Sequence, residues 1–402
     1  MSRILCIWEL GGGYGHLSRF LPIALKLRKR NHEVIFALKE LPWAEPILGK
    51  HGFPILQAPV WPFKMAGFPN PPLNYAEILQ RFGFFNKPGL TGMVKAWRSL
   101  YELVKPDLLI IDHGPTALLA SRGTKIPRTI IGSGFSSPPR TSPLPNMRPW
   151  LNVSEGRLLS SDQKVLEVVN SVLADLGVPP MNILADLFKL DEDFLCTFPE
   201  LDHYQIRGEA HYWGPIFDLE GGPHPQWPLE GDKKIFAYLK NGYRDFEKIL
   251  GVLREMKHCS LIHATGISEN FIKKNESSNM KFITHLVSLE KVRQETDLII
   301  CHAGNGTTCA TLLGGRPLLL LPTQLEQYLF SLNIVNYGAG LVVNPEIQNQ
   351  DYFDLINQLL TKPSFTERAQ AFAKKHEDFD QPKQLDSIVN RCEEIIELGV
   401  RA

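Results

Sequence analysis

Leu298-Ile-Ile-Cys-His-Ala-Gly-Asn-Gly-Thr-Thr308, continuing as Cys309-Ala-Thr-Leu-Leu-Gly-Gly-Arg-Pro-Leu-Leu-Leu-Leu-Pro-Thr-Gln-Leu-Glu-Gln-Tyr328, is the stretch on which the reading of this chain turns. Leu298 to Cys301 form a short apolar run of the kind that fills a buried strand. A loop of small residues carrying one histidine follows, and the pattern predicts a helix starting at Thr307 or Thr308. Free amides at a helix start, with Gly304 and Gly306 letting the backbone approach closely, make the outline of an anion site that suits a phosphate.

Working outward, the same strand, glycine loop and helix order occurs at the other end of the chain. Ile4 to Trp8 reads as a strand, Gly11-Gly-Gly-Tyr-Gly-His16 as a glycine-rich turn, and Leu17 to Arg30 carries apolar residues at helical spacing. His32 to Leu38 supplies the next strand, so the unit is β-α-β with its loop at the carboxyl end of the first strand, where open α/β sheets bind ligands. A dinucleotide fingerprint fails because His16 stands where its third glycine would be, although Glu40 is placed as a ribose-binding acid. No Gly-Lys-Ser/Thr follows, which excludes a P-loop.

Pro106 to Asp112 is a further buried strand that ends on an acid and is followed by His113, and Ile126 to Ile131 leads into a flexible loop from Gly132. Between His51 and about Arg98 the texture changes to prolines and aromatic residues, including Trp61, Phe63, Phe68, Phe82 and Phe85. That segment reads as a loop-rich insertion, open to two readings: a binding wall or plain packing. An amphipathic helix is expected over 161–176, a strand over 194–198, and a linker over 212–228. The alternation then repeats, with strands at 234–239, 260–264, 281–283, 298–301, 317–321 and 341–343. Helices fall between them and continue to a last one over 385–398.

With 402 residues, two domains are expected. The boundaries fall at 1–215 and 216–380, with residues 381–402 forming a helix that packs back on the first domain. Forty-three basic and 43 acidic residues cancel, which argues against an electrostatic nucleic-acid binder. Six scattered cysteines with no Cys-x-x-Cys pair indicate neither a zinc site nor a disulfide framework and fit a reduced, cytoplasmic setting. Asp191-Glu192-Asp193 is the one pattern that suggests a diphosphate-bound metal, and a solvated acidic turn explains it better. No run of about 18 apolar residues predicts a membrane span, and peripheral membrane contact stays open.

The combination of Gly12-Gly13-Tyr14-Gly15-His16, His302-Ala303-Gly304-Asn305-Gly306-Thr307 and Glu326-Gln327 resembles the nucleotide-sugar-dependent glycosyltransferases of the GT-B fold, and most of all the UDP-glycosyltransferase family. The resemblance implies an α/β protein with two facing Rossmann-like doubly wound domains and an interdomain cleft, the first binding acceptor and the second donor. It implies an inverting, metal-independent transfer of sugar, with no cofactor beyond a nucleotide sugar, UDP-linked, as co-substrate. The acceptor would be a hydrophobic small molecule or lipid.

Carried over by residue, His302 and the backbone from Ala303 to Thr307 would hold the diphosphate, and Glu326 and Gln327 the sugar hydroxyls. Val287, within a segment 285–289, would border the nucleobase, and Gly242 and Gly266 would line the same site. His16 would be the general base and Asp112 its orienting acid, with Gly13, Tyr14 and the aromatic residues of the insertion against the acceptor. An imidazole held by a carboxylate through its other nitrogen suits proton removal from a hydroxyl.

Departures from the family pattern are Lys240-Asn241-Gly242-Tyr243, where Gly-Ser is common, Phe330 in place of an asparagine, and Glu326 in place of aspartate. Three alternatives stay open. His113 could be the base, the fold could serve a sugar-nucleotide epimerase or hydrolase, or the chain could be a non-catalytic subunit of a transferase complex.

Overall fold

A computed structural model describes the chain apart from residues 66, 69, 218–221, 286 and 402. Part of the expected linker and one position of the 285–289 segment therefore lie outside the described residues. The chain divides into two compact units: residues 1–197, 204–214 and 380–402 form the first, and residues 198–203 and 215–379 the second.

In the first unit β1 (Arg3–Trp8), α1 (Tyr14–Lys29), β2 (Glu33–Leu38), α2 (Leu41–Leu48), β3 (Ile55–Gln57), α3 (Tyr75–Arg81), α4 (Lys87–Val104), β4 (Leu108–Asp112), α5 (Pro115–Ser121), β5 (Arg128–Gly132), α6 (Glu155–Asp175) and β6 (Glu192–Leu195) follow one another. The sheet is parallel in the order β3-β2-β1-β4-β5-β6, a doubly wound arrangement. From Ile4 through Trp8 and throughout β4 every residue is buried, which is why both strands read as unbroken apolar runs and not as alternating ones. Strand order reverses between β1 and β4, and Trp8 lies opposite Asp112 in their pairing.

Two elements differ from the sequence expectation. The 51–98 insertion holds α3 and the start of α4, each begun by an asparagine whose side chain accepts an amide of the first turn: Asn74 from Glu77 N at 3.2 Å and Asn86 from Gly89 N at 2.8 Å. The crowded prolines and aromatic residues mask those caps in the sequence. The expected strand over 194–198 instead spans Glu192–Leu195, because Glu192 pairs with Thr129 and Asp193 with Ile130 at the sheet edge. Asp191 accepts Arg128 N, Glu192 pairs with Arg391, and Asp193 accepts the Ser137 hydroxyl, so the acidic triplet is engaged by protein groups.

The second unit contains β7 (Lys234–Lys240), α7 (Phe246–Glu255), β8 (Cys259–Thr265), α8 (Glu269–Asn275), β9 (Met280–Ile283), α9 (Leu289–Glu295), β10 (Leu298–Cys301), α10 (Asn305–Leu313), β11 (Leu318–Leu320), α11 (Leu325–Tyr337), β12 (Gly340–Val342), α12 (Tyr352–Thr361) and α13 (Pro363–Lys375). Its parallel sheet runs β12-β11-β10-β7-β8-β9, the same topology, with the reversal between β7 and β10.

The last helix, α14 (Gln381–Arg401), belongs to the first unit. Ile388, Val389 and Cys392 are fully buried there. On its flank Lys26 reaches Asp386 at 2.6 Å, while Arg30 at 2.6 Å and His32 at 2.9 Å both reach Glu393. These half-exposed pairs set register more than stability, which comes from the apolar stripe. Ile388→Ala should therefore lower the stability of the first unit by about 2–4 kcal/mol, read as a shift of the urea midpoint. Asp386→Ala should shift it far less than Ile388→Ala does.

Candidate active site

At the reversal of the first sheet, β1 ends on Trp8 and a glycine turn leads into α1. Gly13 sits in front of the helix at φ 96° and offers no side-chain cap, so the first turn of α1 carries open amides and His16. The His16 ring stacks on Trp8 with centroids 4.7 Å apart and planes at 22°. Its Nδ1 lies 2.9 Å from Asp112 Oδ2, which fixes Nδ1 as the donor and leaves Nε2 with the lone pair. A side chain at Gly11 would place its Cβ 2.8 Å from that Nε2, and Gly11 has φ +82°. Glycine there is both the only residue free of strain and the one that leaves the nitrogen uncovered.

Asp112 is 2% exposed. Burial alone would push its carboxyl upward, but the charges of Arg19 and His16 outweigh it and hold the group down at about 2. Arg19, one turn beyond His16 on α1, donates Nη1 to the same Oδ2. Sequence reading missed this arginine, although its three-residue spacing from His16 puts the two on one helix face. His113 follows at φ 48°, with its ring 5.9 Å from Tyr75 and 6.2 Å from Phe135. It is packed among aromatic rings, whereas His16 has the carboxylate.

Glu9 was missed as well. Its buried carboxylate accepts Thr116 N at 3.0 Å and Ala117 N at 2.5 Å, anchoring the start of α5 immediately after the Asp112 strand. Burial, offset only in part by those amides, raises its carboxyl to about 8.

The aromatic residues of the insertion divide. Trp61 fills the space that Gly83 and Gly89 leave, and its ring meets Phe63 at 5.3 Å and Phe85 at 5.7 Å. Phe68 meets Phe85 at 5.1 Å, and Phe82 is half-buried at the end of α3. Phe68 and Phe85 line a cavity of about 290 Å³ whose other walls include Glu77, Arg157 and Lys164. Phe63 and Tyr14 are exposed, and Tyr14 packs edge-on against Trp43. Part of the segment is thus core and part is open apolar surface.

At the reversal of the second sheet, β10 ends on Cys301 and α10 begins at Asn305, two residues earlier than the sequence suggests. Gly304 precedes it with no side-chain cap. The first intrahelical bond is Thr308 N to Gly304 O at 3.0 Å, so the amides of Asn305, Gly306 and Thr307 take no acceptor among the described residues. Ala303 sits at φ 54°, the left-handed region that costs a non-glycine residue energy and clusters at functional loops. Gly304 is open to solvent, while a Cβ at Gly306 would come within 3.2 Å of Phe217. The two glycines serve different ends.

His302 differs from expectation. Nδ1 donates to Leu321 O at 2.8 Å and Nε2 accepts Lys240 N at 2.9 Å, so both ring nitrogens are spent inside the protein. The ring has no N–H left for a phosphate and instead ties together the ends of β7, β10 and β11. Burial drives its pKa down to about 4, with the Leu321 bond opposing and the Lys240 charge assisting. Tyr243 closes over it with ring centroids at 5.2 Å.

Gly242 is open in the turn after β7, and Gly266, at φ +73°, follows β8 and accepts Asn241 Nδ2 at 3.0 Å. Val287 packs half-buried on the core of this unit. Gln327 Oε1 accepts Thr323 N at 2.8 Å and its hydroxyl at 3.0 Å, which fixes the amide with its NH2 turned away from that turn. Glu326 stands beside it in the first turn of α11, half-exposed. Phe330 is core, stacked on His203 at 5.6 Å.

Among the described residues, no helix is long and apolar enough to cross a membrane, and no group of three or more His, Cys, Asp or Glu is arranged to hold a metal.

Two doubly wound units, each with an open loop and helix start at its sheet reversal, have the architecture of the GT-B fold, and comparisons with known proteins identify a nucleotide-sugar glycosyltransferase of that fold. Residues 244–388 match the family model described as the glycosyltransferase family 28 C-terminal domain. The chain is 24% identical to the PGL/p-HBAD biosynthesis glycosyltransferase of Mycobacterium tuberculosis (strain ATCC 25177 / H37Ra), over 93% of this chain and 88% of that one. It is 22% identical to the PGL/p-HBAD biosynthesis rhamnosyltransferase of Mycobacterium bovis (strain BCG / Pasteur 1173P2), over 72% and 68%. The fold matches the spinosyn rhamnosyltransferase SpnG complexed with thymidine diphosphate at a TM-score of 0.68 and 16% identity, covering 96% of this chain and 100% of that one. This chain is an enzyme of that class, a glycosyltransferase.

The His302 geometry gives a test that needs no substrate. Its folded pKa lies below the ordinary value of about 6.5, so the stability it contributes is present above that pH and is lost as pH falls toward 4. The imidazole should stay neutral in an NMR titration down to about pH 4. His302→Ala, by stranding the Lys240 amide and the Leu321 carbonyl, should destabilise the second unit by about 2–3 kcal/mol in urea.

Proposed function

We propose that the enzyme transfers a sugar from a nucleoside diphosphate donor to a hydroxyl of a hydrophobic acceptor, inverting the anomeric carbon. The observation that carries this reading is His16, with Nδ1 bonded to a buried, ionised Asp112 and Nε2 uncovered beside Gly11. In the reaction Nε2 takes the hydroxyl proton as the oxygen attacks the anomeric carbon, and Asp112 stabilises the imidazolium that results. Attack opposite the leaving group inverts the centre.

The diphosphate gains charge as the glycosidic bond breaks. The open amides of Asn305, Gly306 and Thr307, reached past Ala303 and Gly304, are fixed dipoles suited to that charge and make a metal unnecessary. Glu326 and the NH2 of Gln327 are assigned to the sugar hydroxyls, Val287 to the nucleobase, and Gly242 and Gly266 to the turns around the phosphates. His302 shapes this site by holding its three strand ends. Gly13, Tyr14, Trp61, Phe63, Phe68, Phe82 and Phe85 are assigned to the acceptor. A hydrophobic acceptor accords with a related solved structure, the spinosyn rhamnosyltransferase complexed with spinosyn aglycone. The sequence favours a UDP-linked donor, and the neighbour holding thymidine diphosphate makes the dTDP-linked sugar the one to test beside it.

His16→Ala should lower kcat by about 100-fold or more while calorimetric affinity for UDP or dTDP stays unchanged. Gly11→Ala should act similarly by covering Nε2. Mass-detected transfer to lipid and polyketide acceptors reads the result, and undiminished transfer in His16→Ala would remove that residue from the mechanism.

A further inference from the structure

Asp112 Oδ2 accepts from two side chains of one helix, His16 Nδ1 at 2.9 Å and Arg19 Nη1. We propose that Arg19 is a positioning residue for the transfer reaction: by sharing that oxygen it fixes the carboxylate against the imidazole and keeps His16 unprotonated at Nε2. The proposal rests on the reading of His16 as the base.

A carboxylate this deeply buried is disfavoured as an ion and would take a proton unless a cation stood against it. A protonated Asp112 could no longer orient the ring as an acceptor. An unpaired ionised Asp112 would fail differently, drawing a proton onto His16 and turning the base into an imidazolium before any acceptor arrived. Arg19 prevents both outcomes, because a guanidinium is always charged and cannot pass its proton on. Its side chain is only 10% exposed, so its charge is little screened.

Other groups also face the pair. From β1 the uncharged Trp8 ring stacks on His16, and after β2 Lys39 donates to Gly11 O and pairs with Glu40 at 3.3 Å. On the β4 side His113 follows Asp112 and adds to the positive field upon it. From the end of β6, Cys196 lies near both Arg19 and Asp112, but burial pushes its thiol up to about 12, so it stays uncharged. Asp193 is the next carboxylate, and it accepts the Ser137 hydroxyl.

Removing the Arg19 charge makes the imidazolium easier to form, so the ring binds its proton at higher pH. In Arg19→Met and Arg19→Gln the acid limb of the kcat/KM profile should move up by about one pH unit or more, and kcat at pH 7 should fall about tenfold. KM for the donor should change by less than about twofold on the reading that assigns the donor to the second unit. Arg19→Lys should leave the limb in place because the charge is kept. Gln and Lys both retain a donor for Asp112, so a merely structural role predicts that neutral Gln rescues as well as Lys.

The second readout is an NMR titration of the His16 ring in the full chain, assigned by loss of its signal in His16→Gln. Thermal melts check that each variant folds, and the Gln and Lys pair carries the comparison if Met does not. A ring titration and an acid limb that move together support the proposal. An unmoved ring titration in a folded neutral variant overturns it. A ring that moves while the limb does not overturns His16 as the base, and the positioning role with it. Rescue by Gln, with or without Lys, overturns the charge argument.

Discussion

The pairing that puts Trp8 opposite Asp112 is the constraint on which the first unit's site depends. Parallel register brings both residues to the same sheet edge, and the reversal of strand order there leaves a gap that no crossover helix fills. Trp8 then supplies the surface on which the His16 ring lies, and Asp112 the charge that holds it. A shift of one residue would turn Asp112 to the opposite face. Register in β1 and β4 is fixed by side chains buried on both faces, so the chemistry at the edge inherits its geometry from the core.

The second unit uses the same topology to a different end. Its reversal lies between β7 and β10, and His302 stands on the loop after β10, the strand that corresponds to β4, so its topological counterpart is His113, while His16 sits in the first turn of α1 after β1. His302 is turned inward and bonded at both nitrogens, while His16 is bonded at one. The two histidines beside the reversals are thus held differently. One histidine keeps a lone pair available, and the other uses both nitrogens to align three strand ends beneath an open helix start.

The topology was legible because buried parallel strands leave long apolar runs and the glycine loops punctuate them. Five strands of the first unit and six of the second follow from that pattern with small errors at the ends, and the short β3 within the insertion does not. What escaped was local. Asn74 and Asn86 are cap residues of a common type, but prolines and aromatic rings around them outweighed the signal. The start of β6 at Glu192 and Asp193 escaped because an edge strand tolerates acids that a central one would exclude. At the site, His16 and Asp112 were legible as residue types, one beside a glycine turn and one at a strand end, at one sheet edge. Arg19 was not, since an arginine on a helix reads as solvated surface until a buried partner is seen. The bonding of His302 was equally hidden, because Lys240 and Leu321 meet it only through the fold.

The two loops also divide the electrostatics between them. In the first unit Asp112 is buried against Arg19 and His16, and Glu9 lies against the α5 amides with its carboxyl raised to about 8. Under the proposed function Asp112 keeps a charged partner, Arg19, whether or not His16 holds the proton. In the second unit, under the proposed function, the charge to be stabilised arrives with the ligand, and the start of α10 offers it neutral dipoles. A cation held permanently in that place would bind the donor and the released diphosphate alike. Neutral amides respond in proportion to the charge that develops, so they favour the bond-breaking state over the bound donor. Paired ions for the proton and unpaired dipoles for the leaving group are thus the two solutions that a buried dyad and an open helix end make available.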